Sequence, residues 1–369
     1  MSVDTHATVA ASAQAYAQLA ELELEFDQAE AELLKHQIAL FEPIYTRRQA
    51  VLASIPSFWS IIFENFGPEL DEHITTEDWA FLGENLTSVN VSRPDVASNN
   101  PRTFEITFGL KDGNGVIDAT EIRKKFIYRS LRDGDESWAG LISEPVEVKW
   151  ISDEKDLSGG INGLSKRIFD VRKKRVEGRI EEMKNEGKRK GKKGQGKEDV
   201  GLSELELELE EKLNQTQSFF NWFSWTGDYF MVMEKEAEMK LREEKKAKGE
   251  EVIDSDEDDE KQGETDGIDV FPDGEKLAYL IAEDMFPSAL KHFADAMEHN
   301  EPAEGDTDEE DGNDTDAESI ELDSDLEAQL MKGNMRFQKQ AGKKKRKSDD
   351  EMEEVDEEES TRGKKKARK

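Results

Sequence analysis

The sequence predicts an α+β protein with a long helix, an antiparallel four-stranded sheet and flanking helices. Three features of the chain indicate this class. Residues 17–53 are rich in Ala, Leu, Glu and Gln, four short strand-like runs follow, and helix-forming segments return after them. Pro, Gly, Asn and Asp separate the four runs and no long helical pattern lies between them, so we expect an antiparallel meander.

The helix over residues 17–53 is predicted to form a homodimer. Its apolar residues recur at alternating spacings of three and four, which is typical of one helix paired with another. Such a helix is about 50 Å long, longer than a small domain is wide, so an ordinary core helix is the less economical interpretation. Pro43 is expected to kink the helix without necessarily ending it. The predicted dimer contacts are Leu19, Leu22, Phe26, Ala29, Leu33, Ile38 and Phe41.

Shorter elements follow this helix. Thr75 or Thr76 is expected to cap a short helix that contains Trp79. ELELELEE at 204–211 alternates like a strand but consists of helix-forming residues, and we interpret it as a helix. The four predicted strands are TSVNVS (87–92), RTFEITFGL (102–110), KKFIYRSL (124–131) and VEVKWI (146–151).

Composition sets the expected domain boundaries. Residues 1–16 are small and polar and are predicted to be a disordered tail, and the α+β domain is expected over residues 54–295. Two charged inserts interrupt that domain as predicted loops, a basic one at 166–197 and another at 231–267. Residues 296–369 are predicted to be a disordered acidic tail with basic clusters.

The basic insert holds 14 Lys and Arg side chains against 5 Asp and Glu. Three interpretations of it stay open: contact with DNA phosphates, a localisation signal, or a solvated charged segment. The whole chain nevertheless has 86 acidic and 51 basic side chains, a net charge of −35, and residues 298–327 contain 15 acidic residues and no Lys or Arg. This excess predicts a basic partner and argues against nucleic acid as the main one.

No catalytic or cofactor-binding pattern is present, so we expect a protein that is not an enzyme and has no cofactor. The chain has no cysteine, which excludes disulfides and Cys-ligated zinc, and its five histidines are scattered without paired spacing. The Walker, GxSxG and GxGxxG patterns are absent from suitable contexts. No apolar run reaches the length of a membrane span and the N-terminus lacks the regions of a signal peptide, so we expect a soluble intracellular protein.

One segment imitates a calcium site. DGNGVIDATE at 112–121 matches an EF-hand loop from its third position to its twelfth, but Leu110 stands where the first carboxylate belongs. The preceding FEITF alternates like a strand rather than a helix. A Gly-rich turn between two strands is the simpler interpretation, so no tight calcium site is expected.

The aromatic segment SFFNWFSW at 218–225 allows two roles, base stacking on nucleic acid and packing in the core. We predict core packing, because no basic groove is implied beside it and the net charge opposes nucleic acid.

Four segments, in order, resemble the nucleosome assembly protein family of histone chaperones. IPSFW (55–59), which follows the long helix, resembles one family signature, and SFFNWF (218–223) is similar to another and favours the SET-like branch. The meander ending in VEVKWI resembles the family's "earmuff" sheet, and IAEDMFPSALKHF (281–293) resembles the helical segment that closes the domain. The resemblance covers about residues 17–295, and an acidic tail follows it as in the family.

The resemblance implies a histone chaperone: a homodimer that binds either or both of the two core-histone pairs and promotes nucleosome assembly and chromatin remodelling. An acidic regulator that inhibits or escorts an enzyme, such as a phosphatase or histone acetyltransferase, is the alternative. Because histones are basic, the expected contacts are acidic residues beside the last predicted strand and in the tail: Asp153, Glu154, Asp156, Asp306, Asp308, Glu309, Glu310 and Asp311.

Two basic clusters near the C-terminus resemble nuclear import signals, and solubilising charge is the alternative interpretation. A nuclear protein is therefore expected, and whether it also shuttles to the cytoplasm stays open. The residues concerned are Lys343, Lys344, Lys345, Arg346, Lys347, Lys364, Lys365, Lys366, Arg368 and Lys369.

Overall fold

The structure is a computed structural model that describes residues 5–133, 136–185, 199–248 and 267–299. It confirms the α+β class, because a long helix leads into a four-stranded antiparallel sheet and further helices follow. None of the described helices is long and apolar enough to cross a membrane.

Four helices precede the four strands among the described elements, and the remaining helices follow them. The strands are β1 (Leu86–Ser92), β2 (Phe104–Leu110), β3 (Glu121–Asp133) and β4 (Glu136–Ser143). The α-helices are α1 (Thr5–Leu52), α2 (Phe58–Glu64), α3 (Pro68–Asp71), α4 (Thr76–Asn85), α5 (Ile161–Asn185), α6 (Asp199–Gln215), α7 (Tyr229–Lys248), α8 (Gly274–Tyr279) and α9 (Ala289–His299). Two 3-10 helices lie at Asp153–Lys155 and Phe219–Ser224, and a π-helical segment lies at Leu280–Met285.

Helix α1 begins earlier than the sequence predicted. The expected disordered tail is wrong for residues 5–16, which continue the helix because alanine dominates that stretch. With 48 residues, α1 is about 72 Å long by the standard rise, and it runs on past Pro43 to Leu52.

The sheet is the predicted meander, with strand order β1-β2-β3-β4 and antiparallel pairing throughout. Strand β2 pairs only with the part of β3 up to Phe126, whereas β4 pairs with β3 from Phe126 to Asp133. The β3–β4 hairpin therefore extends beyond β2.

The predicted fourth strand is wrong. Strand β4 is ESWAGLIS (136–143), which was missed because glycine, alanine and serine give it a low strand propensity. VEVKWI (146–151) lies outside the sheet. Its Val146 N–H donates to the carbonyl of Phe223 at 2.8 Å, and its Trp150 forms an isolated bridge with Ile117.

Both predicted insert loops are wrong over most of their described residues. Helix α5 runs through 166–185 of the basic insert, and α7 occupies the first 18 residues of the second one. The predicted helix at 204–211 is confirmed as part of α6. Residues 186–198 and 249–266 lie outside the described residues.

The core lies between one face of the sheet and the segment Phe219–Ser224, here called the aromatic turn. The Phe108 ring contacts the Phe219, Trp222 and Phe223 rings, with centroids 5.8–6.1 Å apart. Every residue of the aromatic turn is buried, which confirms core packing for this segment.

Asp78 ties the aromatic turn to the start of α4. Thr75 is the N-cap, and its hydroxyl accepts from the Asp78 N–H while the Asp78 carboxylate accepts from the Thr75 N–H at 3.0 Å. The same carboxylate accepts from the Ser218 hydroxyl at 2.7 Å and from the Phe219 N–H at 2.9 Å. Of the two threonines considered from the sequence, Thr75 is therefore the cap.

Candidate functional site

Two surfaces stand out on the described domain, and the first is an apolar seam along α1. Phe26 is 65% exposed and Leu33 70% exposed, which is unusual for residues of this size in a soluble domain. The seam comprises five exposed residues at alternating spacings: Leu19, Leu22, Phe26, Ala29 and Leu33. Of the remaining predicted dimer contacts, Phe41 is exposed and Ile38 is half-buried.

The opposite side of α1 is fixed to its own domain. Tyr45 packs against Phe286 with ring centroids 5.0 Å apart, and Leu52 is buried in the core. The Arg48 guanidinium lies 4.6 Å from the Phe286 ring and donates to the Phe286 carbonyl at 2.7 Å. Burial lowers the pKa of Arg48. Arg102, just before β2, and Arg132 of β3 add ion pairs to Asp27.

These contacts leave α1 with one side bound to the domain and the apolar seam facing water. A monomer would expose this seam along several turns, and apolar surface of that extent marks an interaction site. The arrangement fits pairing with a second helix.

The second surface is acidic and lies on α6. Leu202, Leu205, Leu209 and Leu213 pack with Ile161, Leu164 and Ile168 of α5. Glu204, Glu208 and Glu211 recur four and three residues apart on the exposed side, and Leu207, 67% exposed, lies among them. We call these four residues the α6 acidic face.

Asp153 and Glu154 are exposed in the 3-10 turn that precedes α5. Lys212 of α6 donates to the carbonyl of Gly159 at 3.0 Å, so the C-terminal end of α6 adjoins the turn between these acids and α5. Of the acidic residues predicted beside the last strand, two are therefore free to meet a partner near the end of α6.

Asp156 has a different role. Its carboxylate accepts from the Ser158 N–H at 2.8 Å and from the Gly160 N–H at 2.9 Å. It thereby holds the chain in the turn that starts α5, where Gly159 and Gly160 both have positive φ. Its negative charge still contributes to the acidic potential of this region, but its oxygens already accept hydrogen bonds from Ser158 and Gly160.

The α6 acidic face was missed from the sequence. The predicted helix at 204–211 already places Glu204, Glu208 and Glu211 on one side, but glutamate at every second residue hides that spacing. Glu206 lies elsewhere, because its carboxylate accepts from the largely buried Arg172 of α5 at 3.1 Å. A helical projection of residues 199–215 would have found both facts.

The segment that imitates a calcium loop is the connection between β2 and β3. Gly113 and Gly115 have φ of 66° and 75°, and the Asn114 side chain accepts from the Val116 and Ile117 N–H groups. The predicted Gly-rich turn is confirmed. Within the described ranges, no group of three His, Cys, Asp or Glu is placed to hold a metal ion.

Known proteins give this geometry a context. A Schizosaccharomyces pombe protein named as a nucleosome assembly protein is 26% identical over 292 residues, covering 78% of this chain and 82% of the relative. Vacuolar protein sorting-associated protein 75 of Saccharomyces cerevisiae is 23% identical over 297 residues, covering 80% and 83%. This chain is therefore similar to these two proteins over more than three quarters of its length.

Two solved structures are also similar to this chain. The protein in the crystal structure of Ccp1 is 24% identical in sequence to this chain, with a TM-score of 0.47. The match covers 80% of this chain and all of the Ccp1 chain. The crystal structure of the Vps75 histone chaperone is 20% identical with a TM-score of 0.44, covering 77% and 99%. No family model matches the sequence.

The remaining predicted sites of this chain stay predictions. The five acidic tail residues at 306–311 and the ten basic residues proposed for nuclear import lie outside the described residues. The assignment to the SET-like branch likewise stays a prediction.

Proposed function

We propose that this chain is a histone chaperone that works in the nucleus as a homodimer and binds core histones through acidic surfaces. The observation that carries the proposal is the α6 acidic face, on a helix whose end contacts the turn that follows Asp153 and Glu154, in a chain similar to a nucleosome assembly protein of Schizosaccharomyces pombe. Exposed carboxylates on a rigid helix attract basic histones at long range, and Leu207 adds apolar contact once the partner is bound.

An acidic surface of this kind shields the basic side chains of a histone from DNA. Histones bind DNA non-specifically through charge, and a chaperone must compete with phosphate for the same lysines and arginines. A dimer would present two copies of the acidic face, and binding at both raises the apparent affinity without any new contact. The apolar seam of α1 supports this part of the proposal, because a second copy would cover it.

The test neutralises the α6 acidic face in the full-length protein. The variant Glu204→Gln, Glu208→Gln, Glu211→Gln keeps side-chain size and helix propensity and removes three negative charges. We expect its affinity for a core-histone pair to fall about tenfold at 150 mM salt, with a shallower salt dependence, because fewer charge pairs contribute. The measurement is a fluorescence titration with each of the two histone pairs separately.

A matched variant controls for net charge. Glu69→Gln, Glu77→Gln, Glu84→Gln removes the same charge from exposed positions on α3 and α4. This control should bind histones as the wild type does. Equal losses in the two variants would show that only net charge matters and would contradict a specific role for α6.

A further inference from the structure

The outer edge of the sheet is formed by β4, whose backbone groups alternate in direction. The Leu141 N–H donates to the Glu275 carboxylate at 2.8 Å and the Ser143 N–H to the Thr226 carbonyl at 3.0 Å. Leu141 and Ser143 therefore point their N–H groups away from β3. Because the β3–β4 register is continuous, Ser137 and Ala139 point theirs in the same outward direction.

The protein itself covers the inner half of this edge. Gly227 follows Thr226 with φ of 60°, and a Cβ there would lie 2.7 Å from the Leu141 carbonyl oxygen. Only glycine lets the chain run this close to β4. Thr226, Gly227 and Glu275 therefore occupy the edge at Leu141 and Ser143, and no further strand can pair there.

The outer half of the edge is open. Ser137 and Ala139 are exposed, and among the described residues their outward N–H and carbonyl groups have no hydrogen-bond partner. Natural edges are usually protected by lysine, proline or a bulge. Residues 137–140 are Ser, Trp, Ala and Gly, and the pairing with β3 has no bulge, so none of these protections is present.

Two acidic side chains, Asp228 and Glu275, lie beside the open edge. The Trp138 indole donates to Asp228 at 3.0 Å. The Glu275 carboxylate accepts from Leu141, the next residue of β4 after Ala139 whose N–H points outward. Asp228 and Asp273 lie near Asp269, and burial together with these two charges raises the pKa of Asp269. A lysine or arginine that arrived next to Trp138 would meet the Asp228 carboxylate.

The geometry points to a peptide-binding site at this edge: Ser137–Ala139 binds an extended segment of a partner protein, rich in lysine or arginine, by strand addition. Main-chain hydrogen bonds to Ser137 and Ala139 give the affinity, and Asp228 and Glu275 select basic side chains. The site goes beyond the proposed chaperone function, because it recognises backbone and charge on a different element from the α6 acidic face.

The test uses the full-length protein and a fluorescein-labelled peptide of ten alternating lysines and threonines at 150 mM salt. A second peptide of the same sequence has the backbone nitrogens of its central six residues methylated. It keeps every charge but cannot donate to a strand. We expect the wild-type protein to bind the unmethylated peptide about tenfold more tightly, because two or more hydrogen bonds are lost on methylation. Equal affinities would overturn the proposal.

The variant Ala139→Pro removes the outward N–H and puts a ring on the edge, without touching a hydrogen bond to β3. The Ala139→Pro variant should bind both peptides as weakly as the wild type binds the methylated peptide. The Ala139→Val variant keeps the N–H and should bind both peptides as the wild type does. The peptide comparison in the wild-type protein stands even if the proline variant folds poorly.

Two other outcomes would also overturn the assignment to a partner peptide. If Ala139→Pro halves the mass measured by light scattering, a second copy of the chain occupies the edge. If deletion of residues 340–369 increases peptide affinity about tenfold, a basic segment of the chain itself occupies it. The α6 variant Glu204→Gln, Glu208→Gln, Glu211→Gln distinguishes this site from the proposed function. If it loses histone binding but still prefers the unmethylated peptide, the two sites act independently.

Discussion

Lys124 is fully buried in β3 although the chain carries a large excess of acidic residues. Its Nζ lies within hydrogen-bonding distance of three main-chain carbonyl oxygens, those of Glu144, Phe223 and Trp225, at 2.8–3.2 Å. It thereby fastens the end of the aromatic turn to the sheet. Burial lowers the pKa of Lys124 well below its ordinary value, because the charged form loses its hydration.

This residue makes stability depend on pH in the alkaline range. The unfolded chain takes up a proton at Lys124 near pH 10.5, whereas the folded chain takes it up only at lower pH. Between these two values the unfolded state binds more protons, so the free energy of unfolding rises as pH rises. The stabilisation is complete above about pH 10.5 and is lost as pH falls toward the lowered value.

The variant Lys124→Met should remove this slope and leave three carbonyls without their donor, at a cost of about 3 kcal/mol. The difference in stability between wild type and variant should grow from pH 7 to pH 10, by at most about 1.4 kcal/mol per pH unit. Urea unfolding at four pH values measures it. Lys125→Met is the control, since Lys125 is partly exposed and pairs with Asp95. Parallel pH profiles for wild type and Lys124→Met would contradict the assignment.

At the scale of elements, the sequence predicted well those segments whose pattern is local. The strands β1 to β3, the Thr75 cap and the helix at 204–211 follow from alternation, capping chemistry and helix propensity. Strand β4 could not be found this way, because Gly140 and Ala139 carry no strand signal. Their place is set by pairing with β3, which is a tertiary effect.

Helices α5 and α7 were missed for a different reason. Their net charge suggested loops, yet Phe169, Val176 and Ile180 of α5 meet Phe230 of α7 in a small apolar cluster. A few apolar residues at helical spacing are enough to stabilise two helices that pack against each other. Overall composition does not show that spacing. The acidic face of α6 was hidden in the same way, because the composition of 204–211 does not show which glutamates share a side of the predicted helix.

The apolar seam of α1 makes a prediction about assembly. The variant Leu22→Glu, Phe26→Glu, Leu33→Glu puts three charges where a partner helix would pack, so we expect a monomer at micromolar concentration. The wild type should be a dimer, and light scattering coupled to gel filtration distinguishes the two masses. The result tests whether the exposed seam is covered by a second copy.

A control variant with the same added charge separates the seam from the rest of α1. Ala20→Glu, Leu24→Glu, Gln28→Glu changes three exposed positions on other faces of the helix, and Leu24 is as exposed as Leu22. This variant should remain dimeric. A wild-type protein that is monomeric at micromolar concentration would refute dimerisation through α1.

At the scale of the whole molecule, net charge is distributed differently from what the acidic run at 298–327 suggests. Residues 300–369 contain 23 acidic and 14 basic side chains, a net charge of −9, so residues 1–299 keep −26 of the total −35. The basic clusters of the C-terminal segment offset most of its acidity. Electrostatic attraction of a histone should therefore depend mainly on the part of the chain that contains the described domain.

Deleting residues 300–369 tests this distribution and leaves α9 complete. We expect the shortened protein to bind histones several-fold more weakly and with a shallower salt dependence, because most of the negative charge and both described surfaces remain. The deletion also removes both basic clusters, so the measurement must use purified protein rather than cells. Histone titrations at 100, 150 and 300 mM salt give the affinity and its slope.

Competition with DNA decides whether such binding amounts to chaperone activity. Histones, DNA and the protein are mixed at 150 mM salt, and the histone that stays in solution is measured. Full-length and shortened protein should both keep histones soluble, because a folded acidic surface competes with phosphate for the same side chains. Polyglutamate of matched charge is the control and should protect less, since it lacks a fixed surface and an apolar contact such as Leu207. If polyglutamate protects histones and neither form of the protein does, the chaperone function is wrong, and regulation of an enzyme becomes the better hypothesis.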